Sequence, residues 1–89
     1  MKAYRDLFGK KLSKFDVTQA VIHTVRSGNP YPAHLSRHMG IGYFKAKRLA
    51  SLLADAHVAS PMDTQNRRVL LKEDAALNAA FRQLKKGSK

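Results

Sequence analysis

A mainly helical fold is predicted: a three-helix core containing a helix-turn-helix, a β-hairpin wing, and an additional C-terminal helix. Three observations predict it. Apolar residues recur at three- and four-residue spacing in four separate stretches, which is the period of a helix with one buried face. Glycine and proline interrupt those stretches, most tellingly as the triplet Gly40-Ile41-Gly42 between the second and the third. After the third stretch the apolar period shortens to two, as in a strand, around a polar segment that contains Pro61 and Asp63.

A chain of 89 residues has room for one compact domain, and 44% hydrophobic residues supply a modest core. The expected divisions are a basic N-terminal segment over 1–14, the winged domain over 15–71, a last helix over 72–86 and a tail over 87–89. In the first segment Tyr4, Leu7, Phe8 and Leu12 have loosely helical spacing, broken by Gly9. A short helix and a mobile basic arm fit it equally, because so short a helix needs a packing partner in water.

From Phe15 to Arg26 the pattern is firmer. Phe15, Ala20, Val21, Thr24 and Val25 share a face, and Asp16 suits an N-cap or a first-turn acid. Ser27, Gly28, Asn29 and Pro30 stop this helix, and Pro32 leaves Tyr31 in an edge or an extended connector. Ala33 to Met39 forms a second, short helix anchored by Leu35 and Met39. The Gly40-Ile41-Gly42 turn then leads to a third helix from Tyr43 to Ala56, with Ala46, Leu49, Ala50 and Leu53 inward. Its other side offers Tyr43, Phe44, Lys45, Lys47, Arg48 and Ser51.

Short strands at His57–Ala59 and Arg67–Leu71 make the wing, with the loop between them closing on Arg67 and Arg68. Glu73 or Asp74 opens the last helix, whose stripe is Leu77, Ala80, Phe81 and Leu84.

Seventeen Lys and Arg against six Asp and Glu give a net charge of +11, a field that favours a polyanion. The absence of cysteine excludes disulfides, thiolate catalysis and cysteine-ligated zinc. No run approaches the roughly 20 apolar residues of a membrane span, and no signal-peptide pattern opens the chain, so a cytoplasmic protein with no membrane partner is expected. The six acids form no acid and base pair, so no enzyme is expected. His34 and His38 have the i, i+4 spacing of two zinc ligands, but nothing in the sequence completes the set; neither a metal nor a cofactor is expected.

The run LSRHMGIGYFKAKRLASLLADAHVASP, followed by RRVL, resembles the gamma domain at the C-terminus of the FtsK DNA translocase family, a winged helix that reads short orienting sequences in DNA. Leu35, Met39, Ile41, Gly42, Tyr43, Ala46, Arg48, Leu49, Val58, Pro61, Arg67, Val69 and Leu70 carry the likeness, most specifically in IGYxxAxRL. Phe44 and Lys45 stand where the family has Asn and Arg, and Lys47 where it has Ala, so the likeness implies the docking mode and not the target sequence. The Gly-rich loop of the family's motor is absent.

Together these readings point to double-stranded DNA, with the third helix in the major groove and the wing beside it. Tyr43, Phe44, Lys45, Lys47, Arg48 and Ser51 are the expected contacts from the helix, Asn66, Arg67 and Arg68 from the wing, and His34 and Arg37 from the second helix. A stand-alone module of this kind suits a transcriptional regulator, or an accessory factor in DNA partition, transfer or recombination, on a plasmid or other mobile element. A recombinase or other DNA-processing protein is a possible partner. The Ala-rich last helix suits either covering the core of its own domain or a homodimer, which inverted-repeat readers require. Two rival readings are a nonspecific basic DNA- or RNA-binding protein and a winged-helix protein-interaction module.

Overall fold

The computed structural model describes residues 11–61 and 67–87. Among them are four helices: α1 (Lys14–Ser27), α2 (Pro32–Met39), α3 (Tyr43–Asp55) and α4 (Glu73–Gly87). The expected helices over 15–26, 33–39, 43–56 and from residue 73 are all present, within a residue or two at each end. The expectations for residues 1–10, for the loop over 62–66 with Asn66, and for Ser88 and Lys89 lie outside the described residues.

The start of α1 is fixed by a cap and a clasp. Ser13 is the N-cap, its hydroxyl accepting from the Asp16 N–H at 3.1 Å, so Asp16 is the first-turn acid and not the cap. Leu12 before the cap and Val17 in the second turn are both buried in one cluster, the arrangement of a hydrophobic staple. That staple sets the rotation of the helix and corrects one expectation: Leu12 joins the core, while Phe15, expected inward, stands 70% exposed.

Between α1 and α2, Ser27 Oγ accepts from the Asn29 N–H and Asn29 Oδ1 from the Tyr31 N–H, at 3.1 and 3.0 Å. These side-chain turns leave Tyr31 extended, and Pro32 then starts α2 at the position where its missing N–H costs nothing. Gly40, in the left-handed conformation at φ 65°, ends α2. The Ile41 N–H donates to Ser36 O at 3.2 Å, and Ser36 Oγ donates to Ile41 O at 2.7 Å, which locks the three-residue turn into α3.

Helix α3 is the centre of the core. Ala46, Leu49, Ala50, Leu52, Leu53 and Ala54 are all buried, a wider arc than the expected four positions. Leu35 of α2, Val17 and Val21 of α1 and Ala76 and Ala80 of α4 complete the cluster. Ala76 and Ala80 of α4 lie in the chain's own core, with Ala79 packed against it and Ala75 exposed, so α4 packs on α1 and α3.

The hairpin expected at 57–59 and 67–71 is not formed as strands. One antiparallel bridge, Ala59 with Val69, is present, and no strand occurs among the described residues. The reason lies in what the flanking groups do. Val58 accepts from the Leu70 N–H at 2.8 Å, but its own N–H donates back to Leu53 O at 2.9 Å. Ser60 donates its N–H to Arg68 O at 3.0 Å, but its carbonyl is taken by the Arg67 side chain and its hydroxyl serves the Arg68 N–H. Pairing is clipped on both sides.

His57, expected in a strand, sits at φ 63° and terminates α3 instead. Its N–H donates to Ala54 O at 3.1 Å, which together with the Val58 bond to Leu53 makes a Schellman motif with histidine in the position glycine usually holds. Side chains with a Cβ lose roughly 1 kcal/mol or more there. His57 is exposed, so little packing opposes the change. His57→Gly should raise stability by about 0.5–1 kcal/mol in urea unfolding; a lower midpoint would show that the imidazole makes a compensating contact.

Candidate nucleic-acid interface

The burial of α3 on one side leaves a coherent strip on the other. Tyr43 and Phe44 are 55% and 39% exposed, Lys47 and Arg48 are exposed, and Ser51 is half-buried. Phe44, Lys47, Arg48 and Ser51 line a shallow depression along the helix. Within it Arg48 lies one turn beyond Phe44, its guanidinium carbon 5.0 Å from the ring centroid. The pair is a cation–π contact, worth about 0.5–1 kcal/mol at an exposed site, which holds a forked donor in place.

Lys45 departs from this strip. Its ammonium pairs with Asp16 of α1 at 2.9 Å, and the residue is half-buried, so this charge braces α3 against α1. The two arginines after the loop also separate. Arg68 is exposed, whereas Arg67, expected on the nucleic-acid face, is only 7% exposed. Its Nε donates to Ser60 O at 3.2 Å and its Nη1 to Pro30 O at 3.1 Å, with the guanidinium 5.4 Å from the Tyr31 ring centroid. Arg67 thus joins the segment after α3 to the turn between α1 and α2, and that is a structural task. Adjacent arginines look alike in sequence, and no local signal separates them.

On α2, Arg37 is exposed and His34 is half-buried. His34 and His38 bring their ring centroids to 4.2 Å, and His23 of α1, which the sequence did not link to them, lies 6.4 Å from His38. Partial burial lowers the His34 pKa from its ordinary 6.5, and the neighbouring His38, His23 and Arg37 lower it further. Among the described residues no group of three or more His, Cys, Asp or Glu is arranged to hold a metal ion. None of the described helices is long and apolar enough to cross a membrane.

Of the expected contacts, the structure brings Tyr43, Phe44, Lys47, Arg48 and Ser51 onto one face, leaves Arg37 and Arg68 exposed elsewhere, and withdraws Arg67 and, in part, Lys45. Compared with protein-family models, with curated proteins and with solved structures, the chain finds no match in any of the three.

Two outcomes follow from this geometry. Arg67→Met keeps the aliphatic stem but strands two carbonyls, and should cost about 2–3 kcal/mol in chemical unfolding, whereas Arg68→Ala should stay within about 0.5 kcal/mol. Equal effects would contradict the division of labour. For His34, a lowered folded pKa means that the unfolded chain binds the proton more readily. Its contribution to stability is full above pH 6.5 and is lost as pH falls through the lowered folded value. Thermal melts from pH 8 to 5 should therefore show a fall that His34→Gln makes shallower; an unchanged slope would remove His34 as its source.

Proposed function

We propose that this protein binds double-stranded DNA with sequence specificity, inserting α3 into the major groove and placing the segment over 60–68 beside it on the backbone or minor groove. The observation that carries the reading is the division of α3 into a buried face and an exposed strip. Tyr43, Phe44, Lys47, Arg48 and Ser51 are presented on a helix held rigidly by the core behind it. A helix of 13 residues spans about 20 Å and fits a groove about 12 Å wide. The short turn at Gly40–Gly42 and the packing of α2 on α3 support reading the pair as a helix-turn-helix, the arrangement that docks in this way.

Each exposed residue then has a role. Arg48 addresses a base edge, Lys47 and Tyr43 meet phosphates, Ser51 adds a hydrogen bond further along the groove, and Arg37 and Arg68 grip the flanking backbone. Lys45 braces α3 against α1, and Arg67 ties the segment after α3 to the turn before α2. The wing remains part of this proposal through Arg68 and the loop before it, and the likeness to the FtsK gamma domain supports the same docking. In biological terms the module serves as a transcriptional regulator or as an accessory factor in DNA partition, transfer or recombination.

The test is selection from random duplexes at several salt concentrations, with the bound fraction sequenced. A short enriched motif is expected, and Arg48→Ala should weaken binding to it by about 1–3 kcal/mol and relax preference at one position. Affinity that collapses with salt while no motif emerges would favour a nonspecific basic protein instead.

A further inference from the structure

Phe44 is set apart on the strip just described by its partner. A 39% exposed phenyl ring is ordinary by itself, but this one does not turn into the core and is paired with a cation. It sits at the mouth of a depression otherwise lined by Lys47, Arg48 and Ser51, with the Arg48 guanidinium carbon 5.0 Å from its centroid. The two side chains form one composite surface: an oriented fork of N–H donors beside an apolar disc.

The chemistry of the major groove restricts what such a surface can read. A fork of N–H donors is complementary to the O6 and N7 acceptors of guanine, its commonest base partner. Among the groups displayed in that groove, the apolar one is the methyl at C5 of thymine, or of a methylated cytosine. Neighbouring bases on a strand are about 3.4 Å apart along the axis. With the fork level with a guanine, a ring 5.0 Å from it is far enough away to reach the adjacent base pair. In a right-handed duplex a fork bonded to the O6 and N7 of a guanine extends under the C5 substituent of the pyrimidine on its 5′ side, so ring and fork converge where the pyrimidine precedes the guanine.

Building on the DNA-binding reading above, we propose that Phe44 and Arg48 act as one unit that recognises a 5-methylpyrimidine followed by guanine, either a TG step or a methylated CG step. Arg48 supplies the hydrogen bonds and Phe44 covers the methyl group. Phe44 also restrains Arg48 before binding, so the two are energetically coupled. The ligand class is thus duplex DNA carrying a C5 methyl beside guanine, and methylation of cytosine at that position becomes a signal the protein can sense.

The experiment selects duplexes with the intact protein from two random pools, one synthesised with thymine and one with uracil, which lacks the methyl and is otherwise identical in pairing. From the thymine pool the motif should contain a TG step. From the uracil pool the guanine should persist while the preference for the base before it disappears. On the selected duplex, replacing that one thymine by uracil should weaken binding about fourfold, the effect of exposing one buried methyl. A cytosine there should gain a similar factor when methylated. Phe44→Ala should bind thymine and uracil duplexes alike, and Phe44→Leu, which keeps an apolar contact, should retain part of the discrimination; circular dichroism confirms that both variants fold. A selected motif without a TG step, or equal binding of thymine and uracil duplexes by the unaltered protein, would overturn the Phe44 and Arg48 assignment while leaving DNA binding intact. Enrichment of no duplex from either pool would remove both.

Discussion

Helix α3 has to serve as the middle of the core and as an exposed surface at once, and the rest of the chain is arranged to allow it. Its buried residues alternate in size, with Leu49, Leu52 and Leu53 filling space and Ala46, Ala50 and Ala54 letting the neighbouring backbones come close. α4 answers with alanines of its own at 76 and 80, and α1 with Ala20. A chain of this size has few large apolar residues available, and small residues at the contacts allow close packing without them. The cost is little redundancy, since each large side chain at the centre has no substitute nearby.

Electrostatics is sorted by the same division. Several cations are engaged within the protein: Lys45 of α3 pairs with Asp16, Arg67 turns into the interior against two carbonyls, and Arg26 of α1 pairs with Glu73 of α4 at 3.1 Å. The Arg26 pair is exposed and contributes little to stability. The Arg67 contacts are of another kind, because a buried guanidinium has lost its water and depends on the carbonyls that replace it. What remains on α3 is a strip of moderate charge with an aromatic centre, a composition better suited to selection among ligands than to attraction alone.

The helices were legible in the sequence because their signals are local. Periodicity, the Gly and Pro stops and the Gly40-Ile41-Gly42 turn all act within a few residues, and the exposed strip of α3 followed from the same spacing. What escaped depends on contacts that apolar periodicity does not report. The rotation of α1, with Phe15 outward, was set by Leu12 and Val17 around Ser13, a pattern present in the sequence but overshadowed by the larger ring of Phe15. The strands were inferred from alternation, but a strand also needs free N–H and C=O groups, and those of Val58 and Ser60 were claimed by the end of α3 and by Arg67. His23 joined the other histidines only through the crossing of α1 and α2.

Val58 also determines how α3 can move. Its N–H closes the last turn of the helix and its carbonyl holds Leu70, so the end of α3 and the segment returning from the loop share one residue's hydrogen bonds. Opening either one loosens the other, which makes them a single cooperative unit for local unfolding. At its opposite end α3 begins at Gly42, which supplies no side-chain cap. The helix is therefore fastened asymmetrically: its last turn opens only together with the returning segment, whereas its first turn, where Tyr43 and Phe44 stand, has no side-chain cap.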